Sequence, residues 1–222
     1  MTTTLQGSLD ELCEDLAVEI EQMALDGKVL RVIGFAGAPG AGKSLAVSKL
    51  LELLKDVAIT SAPLVAGVIP MDGFHKSNAV LAQEGLSDMK GAPDTFDVVG
   101  YLMTLDRAHT ATTVVYAPDY DRKLGEPIAA RHKVAQTGIV FTEGNYLASQ
   151  DGAWSMVREA IDLLIYLDVP AEVCSERLVE RHLNEGMTPE LAQAFIARVD
   201  EPNRLLAEGS RHRADRIWIV KS

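Results

Sequence analysis

Apolar and polar positions along this chain alternate between two rhythms. From residue 8 to 26, Leu9, Leu12, Leu16, Ile20 and Met23 recur on one helical face, Ser8 and Glu11 fit a capping box, and Gly27 ends the pattern. The run "VLRVIGF" (29–35) is short, β-branched and nearly continuous in apolar character, as a strand covered on both faces should be. A second amphipathic helix is predicted from about Gly42 to Lys55, with Leu45, Leu50, Leu51 and Leu54 inward. Four further apolar runs follow: "PLVAGVIPM" (63–71), "GIVFTEG" (138–144), "DLLIYLDV" (162–169) and "DRIWIV" (215–220). Helical patterns separate most of them, over Asp97–Ala108, Ala171–Glu185 and Pro189–Arg198. Such alternation predicts an α/β fold, a doubly wound, mainly parallel sheet of five strands with helices on both faces. Residues 73–97 and 116–137 are rich in Gly, Pro, Asp and Lys and read as long loops, which in a compact domain are usually functional. With no repeat or linker visible, residues 1–222 are expected to form one domain.

Composition narrows the partners. Hydrophobic residues make up 47% of the 222, enough for a packed core, while aromatics at 5% leave little for base-stacking platforms. The formal net charge of −11 disfavours a nucleic-acid or anionic-membrane surface, so an anionic ligand needs a local device. Cys13 and Cys174 are the only cysteines, which suits a reducing compartment and argues against a disulfide framework or zinc site. No secretory pattern opens the chain and no apolar run approaches the ~20 residues of a bilayer span, so a cytoplasmic location is expected.

The local device is "GAPGAGKS". Gly37, Ala38, Pro39, Gly40, Ala41, Gly42, Lys43 and Ser44 match G-x-x-x-x-G-K-[ST] between a predicted buried strand and a predicted helix, with Leu45 next in line. The glycines let successive N–H groups converge on phosphate oxygens, and the helix dipole adds positive potential at the same spot. Lys43 can reach the β- and γ-phosphates, and the Ser44 hydroxyl can ligate Mg²⁺. The pattern denotes a nucleoside-triphosphate site without separating kinases from other NTPases.

Ligands of doubly wound sheets lie at the carboxyl ends of the strands. Asp72 ends one predicted strand and Glu143 another, and two such acids beside a phosphate cradle could serve as general base and metal ligand. Taken singly, each reads as well as a helix N-cap or loop carboxylate. The stretch "MDGFHKSNAVLAQEGLSDMKGAPDTFDVVGYL" (71–102) resembles the matching segment of bacterial type I pantothenate kinases, with Asp-Gly-Phe, Asn-Ala-Val-Leu and Lys-Gly-x-Pro in order. "EGNYL" resembles their Glu-Gly-x-x-x-Leu strand. With the phosphate loop, these motifs liken residues 29 to 203 to the phosphoribulokinase, uridine kinase and pantothenate kinase family of P-loop kinases. Two departures leave the acceptor open. Those pantothenate kinases are longer, and their histidine shortly after the tyrosine matching Tyr116 is replaced here by Pro118 or Asp119. "EGNYL" followed by Trp154, "YDR" and "VDEPNRLL" (199–206) resemble instead the short bacterial members described as sugar or fructose-transport kinases.

The resemblance implies ATP as phosphoryl donor, Mg²⁺ as cofactor and a small alcohol (sugar, nucleoside or pantothenate-like) as acceptor. It makes Asp72 the base and Glu143 the acid near metal and nucleophile. "ERLVERHLNEG" (176–186) places Arg177, Arg181 and Glu185 on one helix face. Charged faces of this kind are often merely solvated, but the resemblance makes residues 176–190 a lid whose arginines close over the phosphates. His182 reads equally well as a surface residue. The irregular segments offer Lys90, Asp94, Asp97, Tyr116, Tyr120, Asp121 and Arg122 to an acceptor, and "EGNYL" adds Asn145 and Tyr146, although each also suits a turn. Related kinases are often dimers or tetramers, so a homodimer is the assembly the resemblance suggests. The alternative function is a regulatory NTPase without a small-molecule acceptor.

Overall fold

A computed structural model describes residues 2–28, 30–59, 62–110 and 112–221. Its centre is a parallel sheet in the order β1-β10-β9-β2-β8-β5, formed by Thr3–Gly7 (β1), Arg216–Val220 (β10), Leu163–Asp168 (β9), Val32–Gly37 (β2), Ile139–Gly144 (β8) and Val65–Pro70 (β5). Five of these strands coincide with the predicted apolar runs. Val29, expected at the start of the first run, lies outside the described residues. The sixth, β1, escapes an apolar reading because its sequence is Thr-Thr-Leu-Gln-Gly and it lies exposed at the sheet edge, pairing only with β10.

Helices cover both faces. Alternate residues of each central strand point to opposite sides. On one side Ile33 and Phe35 of β2 pack with Phe141, Trp218, and the buried faces of α1 (Leu9–Leu25) and α2 (Lys43–Leu54). On the other, Val32 and Ala36 join Val140, Leu164 and Tyr166 against α4 (Val98–Thr110) and α5 (Trp154–Val157). The capping box at α1 is present: Ser8 Oγ accepts from Glu11 N and Ser8 N donates to the Glu11 carboxylate. In α2, Leu50 and Leu54 are buried as the pattern predicts, but Leu45 is exposed, because the first turn of this helix rims an opening rather than the core. Ala58–Ile59 (β3) and Ala62–Pro63 (β4) make a small antiparallel pair.

Residues 116–137 differ from the loop expected of them. Val115–Asp121 (β6) and Glu126–Val134 (β7) form an antiparallel hairpin laid beside β5, where Ala135 N donates to Ala66 O and shields that sheet edge. A register shift between Ala117 and Asp119 brackets Pro118, which has no N–H to give a ladder. The segment 73–97 holds short turns and α3 (Asn78–Glu84), and closes on itself through a bridge between His75 and Phe96. Beyond β9, the chain runs through α6 (Ala171–Asn184), α7 (Pro189–Phe195), a π-helical turn over Ile196–Asp200 and α8 (Glu201–Ser210). Among the described residues no helix is long and apolar enough to cross a membrane.

Gly73 is where the hairpin meets the sheet. A Cβ there would overlap the backbone carbonyl of Pro118. Gly73→Ala should therefore push hairpin and sheet apart, costing about 1–3 kcal/mol, the usual range for overpacking against groups that cannot yield. A urea-unfolding midpoint unchanged from the parent protein would show that the hairpin shifts freely.

Candidate active site

Strand register dictates what converges at the carboxyl edge of the sheet. Glu143 on β8 lies level with Phe35 of β2 on one side and Pro70 of β5 on the other. The loop leaving β2 at Gly37 and the turn carrying Asp72, two residues beyond Pro70, therefore flank the Glu143 carboxylate. All three regions open into one cleft of about 570 Å³.

The phosphate loop keeps its form through left-handed glycines. Gly40 has φ of +80°, and a Cβ there would come within 2.6 Å of the Cys174 carbonyl on α6, so only glycine fits beneath that helix. Lys43, 7% exposed, points back into the loop. Its Nζ donates to Gly37 O (3.0 Å), Ala38 O (2.8 Å) and Asn145 Oδ1 (2.7 Å). Burial lowers the ammonium's pKa, and the charges of Glu143 and Asp72 oppose that shift. The Ser44 hydroxyl donates to Glu143 Oε1 at 3.1 Å. Glu143 is itself buried, and burial reinforced by the Asp72 charge pushes its carboxyl up to about 7.

Ser44 and Glu143 present only oxygen donors at the mouth of a phosphate cradle. That set fits Mg²⁺, which commonly takes one or two carboxylates and completes its shell with water and phosphate.

The far wall comes from the hairpin and α6. Arg177 reaches over the phosphate loop and donates from Nη1 to Gly40 O at 3.2 Å. One turn on, Arg181 faces the same cleft, its buried Nε without a hydrogen-bond partner among the described residues. Arg122, at the hairpin turn, spans two acids: Asp72 at 3.6 Å and Glu185 at 3.3 Å. Lys90 and Tyr120 line the cleft as well, the Lys90 ammonium 5.1 Å from the centre of the Tyr120 ring.

Several expected acceptor contacts lie elsewhere. Tyr116, 57% exposed, pairs with Lys133 on the outer part of the hairpin. The shift at Pro118 breaks the alternation that would put it on the face of Tyr120. Asp121 caps the hairpin turn, its Oδ1 accepting from Lys123 N and Leu124 N. Tyr146 is buried beside Phe96 and Trp154 and donates to Gly91 O at 2.6 Å, supporting the cleft wall from behind. Asn145 does line the cleft, but its side-chain oxygen is engaged by Lys43.

His182 also corrects the sequence reading. It is 3% exposed, with Nε2 2.8 Å from Asp200 Oδ2 and Nδ1 3.3 Å from Glu185 Oε2. Asp200, in the π-helical turn, thereby ties α6 to α8 and lies 3.8 Å from Arg181. Nothing in local sequence links these positions, since their contact depends on helix packing. His75 was missed despite sitting three residues after Asp72, and it too lines the cleft.

A phosphate loop opening a helix, under a parallel sheet with acids at neighbouring strand ends, defines the class of P-loop nucleotide-binding kinases. Residues 32–200 match the phosphoribulokinase/uridine kinase family, and the chain belongs to that family. It is 35% identical over 174 residues to the uncharacterised Escherichia coli protein YggC, covering 78% of this chain and 70% of that one. Against a pantothenate kinase of a Chelativorans species, identity is 33% over 159 residues, covering 68% of this chain but 49% of the relative. A solved structure from a Silicibacter species, whose designation as a fructose transport system kinase is provisional, superposes with a TM-score of 0.80 at 32% identity. It covers 96% of this chain and 100% of that one. The chain is accordingly a phosphotransferase of the P-loop kinase type.

The raised Glu143 pKa has a testable sign. The native state holds this proton more tightly than the unfolded chain, whose carboxyl titrates near 4.5. In metal- and nucleotide-free buffer the resulting stability is complete below that pH and is lost as pH rises through about 7. The loss should total about 3 kcal/mol and be absent from Glu143→Gln. Parallel stability–pH curves for the two proteins would contradict the assignment.

Proposed function

We propose that this protein transfers the γ-phosphoryl group of ATP to a hydroxyl of a small metabolite, a sugar, nucleoside or pantothenate-like alcohol, with Asp72 as general base. The observation that carries the proposal is the shared cleft, which joins Lys43 and Ser44 of the phosphate loop to Asp72 and Glu143 and to the arginines of α6.

In this reading the phosphate loop from Gly37 to Leu45 cradles the polyphosphate, and Lys43 swings from its carbonyl partners to the β- and γ-oxygens. Ser44 and Glu143 would hold Mg²⁺, which would supply charge to neutralise the phosphates. The acceptor lies among Lys90, Tyr120 and Arg122. Its hydroxyl oxygen forms a bond to the γ-phosphorus as the bond to the bridging oxygen breaks, ADP leaves, and the hydroxyl proton passes to Asp72. Arg122 would release Asp72 for this step by turning to Glu185 alone. Arg177 and Arg181 close from the lid, residues 176–190, to stabilise charge on the transferring group and exclude water.

A regulatory NTPase would have no use for a base facing an acceptor space, and the two readings separate on one assay. Purified protein with ATP and Mg²⁺ should release ADP faster when the correct member of a panel of pantothenate, nucleosides, pentoses, hexoses and sugar acids is present. Asp72→Asn should lower that rate roughly a hundredfold or more while ATP binding persists. ATP turnover indifferent to every acceptor and to this substitution would replace the kinase by the NTPase. Separately, Arg177→Ala should lower turnover more than ATP affinity, by roughly tenfold or more in steady-state assays. Unchanged turnover would remove Arg177 from the mechanism.

A further inference from the structure

His75 occupies a position that the phosphoryl-transfer steps leave unexplained. Its imidazole is clamped between two aromatic rings, with centroids 4.0 Å from Phe96 and 4.8 Å from Tyr120. The backbone fixes it further, through the bridge to Phe96 and the bonds Lys76 N to Thr95 O and Asp97 N to Phe74 O. Its Nδ1 lies 2.8 Å from the main-chain oxygen of Asp72. A carbonyl oxygen can only accept, so Nδ1 carries the proton. In the neutral ring Nε2 is then a bare lone pair.

That nitrogen has no hydrogen-bond partner among the described residues, and it is not among the buried polar atoms sealed off from solvent. The ring lines the same cleft as Asp72, Lys90 and Tyr120. Burial is the main cause that lowers the imidazole pKa; Lys90 and Arg122 add to it and Asp72 works against it. The Lys90 ammonium, a nearby donor, is already committed to Asn78 Oδ1 and Gly125 O. The wall therefore presents a rigid, oriented acceptor beside the proposed base.

We propose that His75 sets acceptor specificity: its Nε2 accepts a hydrogen bond from a second hydroxyl of a polyhydroxylated substrate, beside the hydroxyl that Asp72 deprotonates. This rests on the kinase reading of the cleft and narrows it from any small alcohol to one bearing a hydroxyl donor near the phosphorylated oxygen. A site built around such a bond discriminates strongly, because an analogue lacking the donor strands a desolvated lone pair.

Two measurements test it. Long-range ¹H–¹⁵N spectra of ring-labelled protein at neutral pH should show His75 protonated at Nδ1 and bare at Nε2. A proton on Nε2 overturns the proposal. Transfer kinetics with D-ribose, D-fructose, ribitol, uridine and pantothenate, each paired with deoxy or O-methyl derivatives, provide the second. For the acceptor that is phosphorylated, removing the neighbouring hydroxyl should lower kcat/KM at least tenfold in the wild type. In His75→Phe, which keeps the aromatic stack, the same removal should matter less than about twofold, and His75→Gln, which offers an amide oxygen, should restore part of the discrimination. A purely structural role would slow both members of each pair equally and leave their ratio unchanged. Absence of transfer to every acceptor sinks the kinase reading and this inference together; transfer with undiminished discrimination in His75→Phe sinks the inference alone. Should His75→Phe fail to fold by thermal melting, the wild-type tautomer and the glutamine variant decide.

Discussion

Lys43 carries its charge in a place that water scarcely reaches, and the site is arranged around that fact. An ammonium so buried persists only with its donors satisfied and opposite charge at hand. Two loop carbonyls and the Asn145 amide supply the first condition, while Asp72, and Glu143 once ionised, supply the second. The same proximity makes the acids uncomfortable with one another: Glu143, desolvated and facing Asp72, holds its proton to unusually high pH. A phosphate and a divalent cation arriving together would relieve both strains, giving Lys43 an anion and the carboxylates a cation.

A second layer of organisation links three segments distant in sequence. Asp72 belongs to the turn after β5, Arg122 to the hairpin and Glu185 to the end of α6, yet one guanidinium pairs with both carboxylates. Glu185 in turn meets His182, which meets Asp200 in the π-helical turn before α8. Any movement of α6 would therefore be felt at Arg122 and so at Asp72. The half-exposed Arg122 pairs add little stability in water, so their value lies in orientation. The chain is acidic overall, yet Lys43, Lys90, Arg122, Arg177 and Arg181 all face this one cleft. Concentrating cations locally is how an anionic protein can receive an anionic ligand.

Much of this was legible from the order of residues alone. Strands buried on both faces must be continuously apolar, so five of the six parallel strands stood out, as did the helices between them. The phosphate loop was equally plain, because its chemistry depends on local backbone conformation that glycine and one Lys-Ser pair encode. Asp72 and Glu143 followed from their places at strand ends, since parallel topology sends every such end to the same edge.

What stayed hidden depended on contacts between distant segments. β1 is polar because it lies at an edge, and it becomes a strand only by pairing with β10. Tyr116, Asp121 and Tyr146 have the side chains of ligand-contacting residues, but a bulge, a turn and a packed wall turn them away from the cleft. His75 and His182 read as ordinary histidines until the fold encloses one between Phe96 and Tyr120 and sets the other against Asp200. Periodicity and local motifs thus determined five of the six strands, the cradle and the acids, which are properties of contiguous residues. The tertiary structure alone decided which polar side chains face the cleft, because orientation and burial arise from packing across the chain.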